Sequence, residues 1–164
     1  MSKPESETAR RALAIAAALA AAESGDKAAA RRMGLGGSPL FWRQVARLGI
    51  PQGQERDWLV FTRLVALMTP ASRDTSIHDP DRTLGSALAD AGLSEARFAR
   101  LLAARGPSRA DALERAIRMM ARRGGGLHVT DLARAILWPD DTSRIARSYY
   151  QQLDHVKDED PQDA

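Results

Sequence analysis

QERDWLVFTRLVALM, residues 54–68, decides the fold class. Trp58, Phe61, Val65 and Met68 fall at i, i+3, i+7 and i+10, which is one face of a 3.6-residue helix and not the alternating faces of a strand. Four large apolar side chains on one stripe make it a core face, so the segment reads as an amphipathic helix.

The same period recurs on both sides. Toward the N-terminus, Ser38-Pro39 supplies an N-cap with proline at the first helical position and opens a helix over Leu40–Leu48, with Gly49–Gly53 as the turn that follows. Before it, Thr8–Glu23 is an alanine-rich helix, and Ser24 caps a short second helix ending at Met33, broken by Gly34, Gly36 and Gly37. Toward the C-terminus, Thr69–Arg82 holds Pro70, Pro80, Ser72, Asp74, Ser76 and Asp79 and reads as a loop, the longest break in the chain. Thr83–Ala91 is a short helix stopped at Gly92, and Ser94 caps Glu95–Arg105, with Phe98, Leu101 and Leu102 inward. Ser108 with Asp111 resembles a capping box for a helix whose buried face is Leu113, Ile117 and Met120 and which ends at Arg123 before three glycines. Thr130 caps Asp131–Leu137, and Asp141 or Thr142 starts a last helix carrying Ile145, Tyr149 and Leu153 on one face.

Strand signals are nearly missing, with aromatics at only 5%. The expected fold is all-α, with about nine helices in two small helical bundles and no sheet. The expected units are an N-terminal bundle over 1–91, a C-terminal bundle over 92–153 and an acidic tail over 154–164.

Charge points toward a partner. Of 24 cationic side chains 21 are arginine, and a guanidinium pairs bidentately with phosphate and stacks on bases where an ammonium does neither. A GC-rich genome would also enrich Ala, Arg and Gly, so position along the chain must decide. Residues 154–164 hold five acids and one base, which leaves 23 basic and 16 acidic side chains, a net +7, on residues 1–153. That body should attract polyanions, and the tail reads as a solvated or weakly ordered terminus able to compete for it.

Other chemistries find no support. Cysteine is absent, which excludes a disulfide framework, a thiolate zinc site and a thiol nucleophile. His78, His128 and His155 have no partner at metal-ligand spacing, so no metal is expected. Gly34–Ser38 reads GLGGS but follows a helix and lacks the lysine of a phosphate loop, so it is an inter-helix turn. No nucleophile, base and orienting group form a set; the chain is expected not to be an enzyme and to carry no cofactor. The run Leu13–Ala22 is too short to span a bilayer, and Glu5 and Glu7 before it do not suit a signal peptide, so a cytoplasmic protein with no membrane partner is expected.

The basic residues sort by segment. Arg31 and Arg32 end the second helix; Arg97, Arg105, Arg109, Arg115, Arg118, Arg122 and Arg123 crowd two adjacent helices and would form a basic ridge. Arg144 and Arg147 share a face of the last helix with Gln151, opposite Tyr149, while Tyr150 flanks that face and is expected to be partly exposed. Few aromatics on such a surface favour backbone contacts over base reading and hence weak sequence preference.

Six segments follow one another along the chain: GDKAAARRM (25–33), the helix with Trp58, Phe61 and Leu64, ARFARLLAARG (96–106), DALERAIRMMAR (111–122), VTDLARAILWP (129–139) and RIARSYY (144–150). Their order resembles the CasB family, the small subunit of the type I-E CRISPR surveillance complex called Cascade. The chain has Ile145 where the family often has tryptophan, and it keeps the arginine pair at Arg31 and Arg32. The resemblance implies a two-part helical protein without catalysis, present as a pair of copies beside the backbone and large subunits of the complex. It would lie along the hybrid of crRNA and target DNA and hold the displaced strand on a basic face. Arg31, Arg32, Arg97, Arg105, Arg144 and Arg147 are then the candidate nucleic-acid-binding residues. The alternative is a helix-turn-helix transcription regulator built from Thr130–Leu137 and Asp141–Leu153.

Overall fold

The computed structural model describes residues 2–72 and 74–159. Among them are nine α-helices: α1 (Lys3–Ala21), α2 (Ser24–Arg32), α3 (Pro39–Leu48), α4 (Glu55–Met68), α5 (Leu84–Asp90), α6 (Glu95–Ala103), α7 (Gly106–Arg123), α8 (Val129–Leu137) and α9 (Ser143–Glu159). A 3-10 turn, Gln52–Gln54, leads into α4. The described residues contain no strand; an isolated bridge between His78 and Leu127 ties the long loop before α5 to the connection between α7 and α8. The fold is all-α, as the periodicity requires.

Several helix ends follow their capping chemistry. The Ser38 hydroxyl accepts from the Phe41 N–H at 3.3 Å with Pro39 in the first turn, and Gly49 closes α3 at φ 60°, a left-handed conformation that costs a residue with Cβ. Thr83 and Ser94 accept from the Ser86 and Arg97 N–H groups in the same way.

Other ends depart from expectation. Helix α1 starts at Lys3 instead of Thr8, because the Glu5 carboxylate accepts from the Ser2 N–H at 2.9 Å and Pro4 needs no donor in the first turn. Glu23, not Ser24, holds the N-cap position of α2. Helix α7 begins at Gly106, with Arg105 at the N-cap position and Pro107 in its first turn, so Ser108 lies inside the helix and not at its cap. Thr130 is buried within α8, and His128 precedes that helix. Helix α9 continues past Leu153 to Glu159, with a His155–Glu159 contact of 3.2 Å one turn apart. The first part of the acidic tail is therefore helical, and residues 160–164 lie outside the described residues.

Helix α4 packs against α1, α2, α3, α7 and α8. Its expected stripe of Trp58, Phe61, Val65 and Met68 is buried, and so are Leu59, Leu64 and Ala66. Phe98, Leu113, Ile117, Met120, Ile145 and Tyr149 join the same cluster, to which all nine helices contribute. The most extensive helix pair is α5 with α9, which meet across the sequence position of Gly92. They approach so closely at Gly85 that a Cβ there would strike the Ser148 hydroxyl and the Ile145 carbonyl and come within 2.6 Å of the Tyr149 nitrogen. Among the described residues no helix is long and apolar enough to cross a membrane.

Two substitutions probe this packing by denaturant unfolding. Phe61→Ala should lower stability by about 3–5 kcal/mol, the range for emptying a buried aromatic site. Gly85→Ala adds one methyl group against backbone and should cost about 1–3 kcal/mol or more, because neither helix can yield without losing its seat. An unchanged Gly85→Ala midpoint would mean that α5 and α9 do not pack this closely.

Candidate nucleic-acid interface

The arginines of α6 and α7 recur with the helical period, one face over from the core stripe. Arg115, Arg118 and Arg122 fall at i, i+3 and i+7, beside the buried Leu113, Ile117 and Met120, and Arg97 and Arg100 share a turn of α6. Because the apolar faces of α6 and α7 pack together, these five guanidinium groups line a groove of about 440 Å³ between the two helices. Leu93, Leu101, Ala112, Ala116 and Met119 line it as well, and no acidic side chain among the described residues does.

Partners separate the five. Arg118 donates to Glu114 through Nε at 3.1 Å and Nη2 at 2.8 Å, and that same carboxylate also accepts from Arg63 at 2.8 Å, so one acid is shared by two cations. Arg97, Arg100, Arg115 and Arg122 are exposed and have no side-chain hydrogen bond or ion pair among the described residues. A concave surface with four uncompensated guanidinium groups concentrates positive potential at its mouth. It can hold the phosphates of an extended polyanion, which match a guanidinium bidentately.

The structure gives the other sequence-derived candidates different surroundings. Arg31 is half-buried and donates to the Ala66 carbonyl at 2.9 Å and the Thr69 carbonyl at 2.6 Å, two of the acceptors at the C-terminal end of α4. Arg32, beside it, is exposed and has no partner among the described residues. Arg105 sits at the corner between α6 and α7, where it donates twice to Asp140 at 2.8 and 3.0 Å and also to the Leu102 and Ala104 carbonyls. Arg144 is exposed at 4.0 Å from Asp131, and Arg147, one turn on, is exposed and unpaired among the described residues. Of the six, Arg97 alone lines the groove.

The expected ridge is corrected in its membership. Arg109 is buried and donates to the Leu101 and Ala135 carbonyls at 2.9 and 3.0 Å, tying α7 to α6 and α8. Burial, and then the neighbouring Arg105 charge, lowers its pKa, with Asp140 opposing. Arg123 donates to the Asp90 carbonyl at 3.0 Å, outside the groove lining. Arg100, which the sequence reading passes over, belongs to the groove; its i+3 spacing from Arg97 was the available signal.

The remaining motifs are structural. Gly37 turns the chain between α2 and α3 at φ 72°, and the Trp42 indole donates to the Gly36 carbonyl at 2.7 Å. His78 accepts from the Val129 N–H at 3.3 Å and packs edge to face on His128, 5.1 Å between ring centres. Burial first, and then His128, lowers the His78 pKa. Among the described residues no group of three or more His, Cys, Asp or Glu could hold a metal ion. Helix α9 makes its main contact with α5, whereas a helix-turn-helix reading would pair it with α8.

Comparison with known proteins adds an independent line. Residues 26–150 match the model of a protein family described as CRISPR-associated protein Cse2. A chain in the crystal structure of E. coli Cascade bound to a PAM-containing dsDNA target has a similar fold, with a TM-score of 0.69 and 20% identity over 87% of this chain and 96% of that chain. Comparison with curated proteins gives no match.

The two classes of arginine should separate in unfolding experiments. Arg109→Met strands two buried carbonyls and should cost roughly 1–3 kcal/mol for each. Arg97→Gln and Arg122→Gln should stay within about 0.5 kcal/mol of wild type, as surface changes do. Equal losses at all three positions would mean that the groove arginines also hold the fold.

Proposed function

From the premise that the chain belongs to the CRISPR-associated Cse2 family, the CasB family of the sequence resemblance, we propose that it is the non-catalytic small subunit of a type I-E Cascade complex. There it holds the displaced DNA strand in the groove between α6 and α7. It acts in the cytoplasm beside the backbone and large subunits, with a second copy of itself, along the hybrid of crRNA and target. The observation that carries this reading is the groove itself: four guanidinium groups with no partner among the described residues and no acid in the lining.

The physical requirements of the role match what this surface offers. Guide pairing reads the sequence, so a protein that stabilises the opened strand needs charge and shape and not a base code. Opening a target is nearly balanced in energy, since the hybrid formed is about as stable as the duplex replaced, so a few phosphate contacts on the displaced strand shift the equilibrium. Arg32 and Arg147, exposed and without a partner among the described residues, lie outside the groove lining and are further candidates for phosphate contact.

Paired charge reversal tests the groove directly. Arg115→Glu with Arg122→Glu should leave the helical content and assembly with crRNA unchanged while shortening the lifetime of the opened target in a complex containing this subunit. For the isolated protein, single-strand affinity should fall steeply with salt, at a log–log slope of about −0.7 per phosphate, and the pair should reduce that slope by about 1.4. Unchanged target opening with an unchanged salt slope would remove the groove from the function.

A further inference from the structure

Helix α9 sets one tyrosine inside the fold and the next one at its surface. Tyr149 is fully buried, stacked on Phe98 of α6 with ring centres 3.9 Å apart and planes 12° apart, and its hydroxyl donates to the Leu93 carbonyl at 2.5 Å. Tyr150 follows it on the helix and turns outward, with 42% of the residue exposed. Its ring stands nearly perpendicular to both buried rings, 5.2 Å from Tyr149 and 6.0 Å from Phe98. Those contacts hold it in place without enclosing it, and its hydroxyl has no hydrogen bond among the described residues.

The surroundings favour a nucleobase as the missing neighbour. Arg147 lies one turn before Tyr150 on α9, exposed and without a partner among the described residues, close enough for both side chains to meet one nucleotide. On α6, Phe98, which braces Tyr150, adjoins Arg97 of the groove, and the Leu93 carbonyl that anchors Tyr149 belongs to a groove residue. The aromatic ring and the cationic groove thus flank the same short helix. A fixed aromatic ring beside cations binds an unstacked base by its π-face, and does so with little regard to which base it is. Paired and stacked bases in a duplex offer no such face.

We infer that Tyr150 is a base-stacking platform, with Arg147 beside it on the phosphate, which makes this surface select unpaired nucleotides over duplex. The inference rests on the reading of the groove as a site for nucleic-acid phosphates and adds to it a contact with the bases. It keeps the weak sequence preference expected of the surface and assigns strand selectivity to one side chain.

The test separates bases from phosphates by anisotropy with the full chain and two labelled strands of about 12 nucleotides, a length within known single-strand site sizes. One strand is oligothymidine and the other an abasic strand with the same number of phosphates. Wild type should bind oligothymidine roughly 5- to 100-fold more tightly than the abasic strand, the factor expected of a base stacked on an aromatic ring. Tyr150→Phe should keep that preference. Tyr150→Ala should lose it while binding the abasic strand as wild type does and remaining folded at the assay temperature. A wild-type protein that binds both strands equally overturns the stacking role and leaves the groove reading intact. Failure of wild type to bind either strand overturns both. An alanine variant that keeps the preference, or that weakens on both strands alike, overturns the assignment to Tyr150.

Discussion

Burial of α4 on almost every side is the constraint from which the other arrangements follow. A helix whose Trp58, Leu59, Phe61, Leu64, Val65, Ala66 and Met68 are all buried must be surrounded, and α1, α2, α3, α7 and α8 supply the surround. Its free carbonyls at the C-terminal end then lie where water reaches poorly, and an unpaired acceptor there costs about 1–3 kcal/mol. Arg31 of α2 meets that need by donating to the Ala66 and Thr69 carbonyls, and Lys27 donates to the Pro70 carbonyl just beyond the helix, so two cations of a basic protein are committed to the end of α4 and the chain that leaves it.

The same logic divides the arginines of the C-terminal half. Arg109 joins α7 to carbonyls of Leu101 and Ala135, Arg105 locks the α6–α7 corner to Asp140, and Arg123 meets the Asp90 carbonyl. With those three placed, the chain at the start and end of α7 is held without help from Arg115 or Arg122, which project from its exposed face. A guanidinium that finds neither acid nor carbonyl in its own fold keeps its full hydrogen-bonding capacity for a partner. Genome composition can raise the number of arginines, but it does not account for four without partners lining one groove that contains no acid.

Helix existence was legible in the sequence because period and caps agree: the stripe of Trp58, Phe61, Val65 and Met68 and the caps at Ser38 and Ser94 appear in the structure as read. Helix starts were less legible where two signals competed. Ser108 and Thr130 look like caps, yet Pro107 in the first turn lets α7 start earlier, at Gly106, and Thr130 is buried within α8. The groove was half legible. Spacing showed that α6 and α7 each carry an arginine face, but whether a given guanidinium turns to a carbonyl or carboxylate of its own fold depends on tertiary contacts many residues away, such as Arg109 with the Ala135 carbonyl and Arg105 with the Asp140 carboxylate. Tyr149 and Tyr150 were legible, because the stripe of Ile145, Tyr149 and Leu153 turns Tyr149 inward and adjacent residues on a helix point about 100° apart; the structure stacks Tyr149 on Phe98 and leaves Tyr150 partly exposed.

The distribution of unpaired cations also bears on why a small helical protein suits the proposed role. A strand held by its phosphates is gripped at intervals set by the nucleotide repeat, whereas a helix offers side chains at intervals of three or four residues, so one helix face engages few phosphates. Two helices placed side by side, as α6 and α7 are, double the density of contacts along a shared groove. In the proposed role each contact would be weak in water and salt, and none would have to be desolvated deeply, so a strand could enter and leave without an unfolding step. Rigidity comes from elsewhere: Arg109 fixes α7 to α6 and α8, and the close approach of α5 and α9 at Gly85 seats Tyr149 against Phe98 on α6. The groove is thus a set of exposed guanidinium groups on a fixed frame, which suits the proposed role, in which the sequence of the strand is read by another molecule.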